Sequence, residues 1–179
     1  NKHIPAVYLR ASFSQRLSLI QGLMDTDGCI AKAGKEICFD TTSPALRDGM
    51  AELLASVGIK FSVTQRTMRC NGRVVAGHSW RIQFCCFDDL PVFRLRKKLD
   101  RMRPRPQRKA RCETLKIVSV EEIPTVATRC IVVDSPSHQF LCGRRMIPTH
   151  NTPLAAGIAL FVLMCDGEPG QQNYCAAAD

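Results

Sequence analysis

Apolar residues recur at helical spacing from Leu17 through Leu19, Ile20, Leu23 and Met24, so a first helix is predicted with Ser14 as its N-cap. It should stop at Asp25-Thr26-Asp27-Gly28, where glycine turns the chain out of a helix. Ahead of it, Lys2-His3-Ile4-Pro5 reads as an extended entry segment. Behind it, alternation with period two in Cys29–Lys32 and Glu36–Thr41 predicts a hairpin around Ala33-Gly34-Lys35. Ser43-Pro44 opens a second helix over Ala45–Val57, closed by Gly58. A second hairpin is predicted over Lys60–Cys70 and His78–Phe87, turning near Asn71-Gly72, and Asp88-Asp89 should cap a third helix from Leu90 towards Leu99.

From Arg94 to Arg111 the chain is dense in Arg and Lys but broken by Pro104 and Pro106, which predicts a helix end running into a basic linker. Alternation resumes over Thr114–Glu122 and Val126–Val133, so a domain boundary is set near Arg111-Cys112. The strand-turn-strand run Cys130–Gly143 follows, bent at Asp134-Ser135-Pro136-Ser137. A last change of character falls between Asn151 and Thr152. Beyond it an apolar helix is predicted to Cys165, then a strand at Asn173–Ala176.

Composition narrows the function. In 179 residues, 45% hydrophobic composition is enough for a core, and a net charge of +9 favours an acidic partner, nucleic acid first. The ten cysteines are scattered, with Cys85 and Cys86 adjacent and no metal-type repeat. They read as reduced, mostly buried small hydrophobes of a cytoplasmic protein. Leu154–Cys165 is too short to span a bilayer, and no membrane association is expected. With no signal peptide and no initiator Met, both ends look like cuts in a longer precursor.

The residues at the 151/152 boundary are those a self-cleaving junction needs. The Asn151 side-chain amide can attack its own backbone carbonyl and close to a succinimide, with His150 beside it to move protons. The Thr152 hydroxyl can accept an acyl group and return it to its own amine. A plain turn ending a strand would use the same residue types. Taken together, Cys130–Gly143 and Met146–Thr152 resemble the two C-terminal splicing blocks of an intein, matching at His138, Phe140, His150 and Asn151. Cys130 and Thr149 are similar to two members of the Trp-Cys-Thr set of class 3 inteins, whose first downstream residue is Ser or Thr.

That resemblance implies a sequence of acyl transfers. Cys130 attacks the upstream junction and forms a branched thioester, and the acyl group passes to Thr152. Asn151 then cyclises with help from His150 and His138 while Thr149 hydrogen-bonds within the site, and an ester-to-amide shift joins the flanks. The Trp of the set belongs to an N-terminal intein part absent from this sequence, which would act in cis or in trans.

A second resemblance lies in Ile20-Gln21-Gly22-Leu23-Met24-Asp25-Thr26-Asp27-Gly28, which is similar to the LAGLIDADG motif, within the helix-hairpin-helix-hairpin-helix order of a homing endonuclease half. Gly22 would let two motif helices approach closely. By resemblance Asp27 is the catalytic, Mg²⁺-binding carboxylate, and Asp25 an auxiliary acid. Double-stranded DNA is the implied partner. Lys32, Lys35, Arg66, Arg69, Arg73 and Arg81 are the candidates on the hairpin face, with strand parity left open. Lys2 lies in a Lys-x-Ile-Pro block like that between two intein motifs, so a first motif is expected upstream. Ser43 and Arg47 fall where relatives order water at the scissile phosphate, and Arg96 or Lys97 is the candidate basic group near the metal.

The tail, Thr152-Pro153-Leu154-Ala155-Ala156 onward, resembles the region after the phosphate-binding loop of a phage terminase large subunit. The expected organisation is therefore residues 1–111 as an α+β LAGLIDADG half with a basic linker, 112–151 as the C-terminal β part of a Hint-type splicing domain, and 152–179 as a terminase host segment. The competing reading is a degenerate LAGLIDADG module that binds DNA without cutting, inside an intein that only splices.

Overall fold

In the computed structural model, residues 2–34, 36–70, 73–107 and 133–150 are described, together with 114, 118, 119, 121, 122, 124, 127 and 131. The side chains of 69, 70 and 73–75 are not. The chain divides into two compact units, Asn1–Val120 and Glu121–Asp179. The expected strands over 114–122 and 126–133 are described only at scattered positions, none of which is in a strand, and the linker from 108 to 113 and the tail from Asn151 lie outside the described residues.

The first unit begins with the entry segment, extended at Pro5, which runs into a short helix that was not predicted, α1 (Ala6–Leu9). Helix α2 (Phe13–Thr26) starts two residues earlier than predicted. Ser12 is its N-cap, and a reciprocal bond between Ser12 and Gln15 forms a capping box. It also runs past Asp25, and Asp27 is the C-cap, with its backbone N–H donating to Leu23 and Met24 carbonyls. Strands β1 (Gly28–Ile30) and β2 (Ile37–Thr41) make the first hairpin. Helix α3 (Pro44–Ser56) has the expected Ser43 cap and Pro44 in its first turn.

Helix α3 ends in a Schellman motif: Gly58 N–H donates to Ala55 and Ile59 N–H to Leu54. Gly58 takes φ 80°, which a side chain would resist, and the turn delivers Ile59 into the core. The long hairpin β3 (Phe61–Cys70) and β4 (Arg73–Phe84) completes an antiparallel sheet of order β1-β2-β4-β3. β4 begins five residues before the expected His78. Ile30, Ile37, Phe39, Phe61, Ile82 and Phe84 line the inner face of the sheet, against Ile20 and Met24 of α2 and Met50, Leu53 and Leu54 of α3. Each such side chain contributes about 1.5–3 kcal/mol on leaving water.

The predicted third helix from Leu90 does not form. Only Arg96–Leu99 is helical (α4), while residues 90–95 make an irregular strap across the end of α2. Two causes outweigh the Asp88-Asp89 cap signal. Val92 and Phe93 anchor the segment in the core, and the N–H groups of Arg94 and Leu95, which a helix from Leu90 would turn back on itself, go to the Asp25 carboxylate. Asp89 is instead ion-paired with Arg105. The strap is tied to α2 by polar groups: Asp25 accepts the backbone N–H of Arg94 at 3.1 and 3.2 Å and of Leu95 at 3.1 Å. Gln21, itself buried, donates to the Pro91 carbonyl at 2.7 Å and accepts from Arg94 Nε at 2.7 Å.

The cysteines depart from expectation. Cys29, Cys85 and Cys142 are exposed and Cys38 is half-buried, leaving Cys86 as the buried one among the described residues. In the second unit, β5 (Phe140–Cys142) and β6 (Ile147–Thr149) form a hairpin with Phe140 opposite Thr149.

Because Asp25 satisfies two strap amides, Asp25→Ala should lower stability by about 1–2 kcal/mol, the cost of unpairing partly buried donors. Asp27→Ala, at an exposed cap, should change it by under about 0.5 kcal/mol. Urea unfolding of the two variants checks this, and equal losses would contradict it.

Candidate active site and nucleic-acid interface

At the C-terminal end of α2 the last two acids of the motif separate. Asp25 is half-buried and spent on backbone amides, as above. Asp27 is exposed, and its carboxylate has no hydrogen-bond or ion-pair partner among the described residues. A cation sits behind it: Lys98 Nζ donates to the carbonyls of Met24, Asp25 and Gly28 at 2.8, 2.8 and 2.7 Å and lies 5.6 Å from the Phe93 ring centre. A positive charge at the carbonyls of a helix C-terminus is favourable for the helix dipole. Lys98 is therefore the basic residue that reaches the end of the motif helix. Arg96 pairs with Asp100, the C-cap of α4, and Lys97 is exposed.

Gly28 has no room for a side chain, since a Cβ there would lie 2.5 Å from the Met24 carbonyl oxygen. That close approach is what lets the strand leave directly under the helix end. Six residues earlier the situation reverses: a Cβ on Gly22 would meet nothing within 4 Å. Gly22 shares a helix face with Gln15, Ser18 and Leu19, and a concavity lined by Val7, Tyr8, Gln15, Ser18 and Leu19 continues that face. Val7 and Tyr8 are both more than half exposed there.

The register assigns strand parity. With Ile37, Phe39 and Thr41 turned inward, Cys38 and Asp40 face outward, opposite Gln83 and Arg81 of β4, which in turn face Ser62 and Thr64 of β3. Arg66, opposite Ser79, belongs to the same outer face. The face is polar throughout, and at its centre Arg81 makes a two-pronged pair with Asp40, Nε to Oδ1 at 2.8 Å and Nη2 to Oδ2 at 2.6 Å. Bonding to Arg81 holds the Asp40 carboxyl below its ordinary value and raises Arg81. The pair therefore stabilises the fold above the ordinary carboxylate value and loses that contribution as pH falls through the lowered one. With both side chains more than a third exposed the contribution is at most about 1 kcal/mol.

The other candidates are dispersed. Lys32 is exposed in the β1–β2 turn, and the side chains of Lys35, Arg69 and Arg73 lie outside the described set. Ser43 caps α3 and donates to the Lys2 carbonyl at 2.6 Å, so these two meet through Lys2's backbone rather than its ammonium group. Arg47 pairs with Asp48 at 2.7 Å and stacks 4.8 Å from the centre of the Trp80 ring. In the second unit, the rings of His138 and His150 meet edge-on with centroids 6.3 Å apart, and Thr149 Oγ1 donates to the Ile147 carbonyl. His138 takes φ 51°, an uncommon conformation for a residue with a side chain. Cys130, Asn151 and Thr152 are outside the described residues.

Among the described residues no three potential ligands cluster to hold a metal, and no helix is long and apolar enough to cross a membrane. Lys98, Asp40, Gln83, Ser62 and Thr64 were missed by sequence reasoning. Register alone would have exposed the last four, and nothing local marks Lys98 apart from Arg96 and Lys97.

Comparison with known proteins adds two relatives. A replicative DNA helicase DnaB of Mycobacterium intracellulare is 38% identical over 162 residues, 86% of this chain, which spans only 26% of that protein. A second DnaB, of Mycobacterium leprae (strain TN), is 48% identical over 38 residues, 21% of this chain and 6% of its own length. Neither is a terminase. Residues 14–128 match the model of the LAGLIDADG-like domain, and since that match takes in α2 with its acids, the whole sheet and the strap, the chain belongs to the LAGLIDADG-like domain family.

Proposed function

We propose that this chain is the C-terminal part of an intein in which a LAGLIDADG half-site for cutting double-stranded DNA is followed by the residues that release and ligate the flanks. The observation that carries the nuclease half is the division of labour at the end of α2. Asp25 is consumed by the fold, whereas Asp27 is exposed and fixed by a tightly held helix end. A hard, exposed carboxylate suits Mg²⁺, which takes oxygen ligands and keeps several waters. Asp27 would supply one of them, with the remainder coming from a second motif's acid, phosphate and water. The ion, when bound, would polarise the scissile phosphate. The chain's own residues position the acid and seat the duplex.

The outer sheet face would lie in the major groove. Arg66 faces outward there, and Arg81, gripped by Asp40 through Nε and Nη2, keeps its remaining guanidinium N–H groups for a base edge. The open Gly22 face, with its apolar continuation, is where a second motif helix would pack. For splicing, the support is the meeting of His138 and His150 at the open end of the hairpin, where Phe140 pairs with Thr149. The relatives' names favour a replicative helicase as host, and give no support to the terminase resemblance of residues 152–179.

Two measurements test this reading. In the complete precursor, Asn151→Ala should abolish intein release and Cys130→Ala should leave the upstream junction intact by mass spectrometry. Asp27→Asn should splice normally yet cut the uninterrupted gene on the order of a thousandfold more slowly, losing several kcal/mol of charge stabilisation. DNA bound but never cut by the unaltered protein would favour the binding-only module, and normal ligation in Cys130→Ala would rule out the thioester route.

Gly22 gives an opposite-signed pair of outcomes. In this chain alone Gly22→Ala should stabilise by up to about 1 kcal/mol, because the added methyl meets no atom and alanine favours helix. With a partner motif present the same methyl should impair cutting. Improved stability together with undiminished cutting would show that no helix packs there.

A further inference from the structure

The outer face of the sheet carries a feature that DNA binding does not require. Cys29 of β1 and Cys38 of β2 are directly opposed in the antiparallel register. The backbone bond from Ala31 N–H to the Glu36 carbonyl, 2.9 Å, fixes the phase of the ladder. Counting back one period makes Cys29 and Cys38 a hydrogen-bonded pair, with Cα atoms about 5.5 Å apart, inside the range a disulfide can bridge. Both side chains leave the same face, as directly opposed residues of an antiparallel pair must. Cys29 is exposed and Cys38 half-buried, so one sulfur is open to a reagent and the other waits beside it.

We propose that Cys29 and Cys38 form a reversible redox pair, a dithiol that a small-molecule disulfide of the glutathione class converts to an intramolecular disulfide across β1 and β2. The Cys29 thiolate attacks one sulfur of the reagent, forming a mixed disulfide and expelling the first small thiolate. Cys38, after giving up its proton, attacks the Cys29 sulfur and expels the second. Two protein thiols lose two electrons, the reagent gains them as two thiols, and the two protein protons end on those thiols. Excess small thiol runs the steps backwards.

Closure has a mechanical consequence. A disulfide needs Cβ atoms about 3.8 Å apart, closer than an unbridged cross-strand pair sits, so forming it draws β1 and β2 together. Asp40 lies two residues along β2 on the same face and grips Arg81. Oxidation therefore shifts the central cation of the face. Resting on the reading that this face holds DNA, the pair is a switch that weakens the grip when oxidised.

The test has two arms that fail separately. The full chain is incubated with oxidised glutathione, digested without reduction and mapped by mass spectrometry. A Cys29–Cys38 linked peptide, lighter by two hydrogens and abolished by excess reduced glutathione, is expected. Finding Cys29 and Cys38 as free thiols or as separate glutathione adducts, in samples where exposed Cys85 has been modified, overturns the proposal. In the second arm, affinity for a double-stranded oligonucleotide spanning the uninterrupted insertion site should fall about fivefold or more on oxidation, the worth of one base contact. It should recover with dithiothreitol, and Cys38→Ser should abolish the linked peptide. Unchanged affinity overturns the switch. No binding by the reduced chain overturns the DNA reading, and the disulfide map is unaffected by that result.

Discussion

Everything the motif helix does depends on how its C-terminal end is held. Four carbonyls at the end of any helix lack partners within it, and here Lys98 takes two of them, together with that of Gly28, in one ammonium group. The carboxylate of Asp25 works in the other direction, taking the amides of the strap that carries Lys98. Cation to helix end and anion to strap make a reciprocal clasp, and Val92 and Phe93 anchor the strap in the core beneath it. Asp27, next along the chain, inherits a fixed position without spending its own charge. The two acids at the helix end thus divide the work, Asp25 binding the strap and Asp27 remaining exposed.

The same economy separates the surfaces of the first unit. The inner sheet face is apolar and covered by α2 and α3, while the outer face is polar and organised around the Asp40–Arg81 pair. The far side of α2 is different again, semi-apolar and open at Gly22. Because side chains alternate along strands and repeat every three to four residues on helices, one short sequence supplies all three without conflict.

Much of this could be read from the sequence, and what could not has specific causes. Ser43-Pro44, Gly58 and the alternation in β2 fixed α3 and the first hairpin because their signals are local. The strap is not legible in the sequence because Asp88-Asp89 followed by Leu90 looks like a cap, whereas the burial of Val92 and Phe93 and the Asp89–Arg105 pair are tertiary facts. Asp25 and Asp27 look alike in sequence, and only the amides of Arg94 and Leu95, some seventy residues later, tell them apart. The basic candidates divided on register: Arg66 and Arg81 proved to share a face, whereas Arg96 turned to Asp100 and left Lys98 to reach the helix end.

The clasp can be tested without DNA or metal. Amide hydrogen exchange in Lys98→Met keeps the length and apolar stem of the side chain and removes only the charge that caps the helix. Exchange at Thr26 and Asp27 should speed up by about tenfold or more, while amides around Ile20 keep their protection, since the loss is confined to the last turn. Unchanged protection at Asp27 would mean that the helix end holds itself, and that the position of the exposed acid has some other origin.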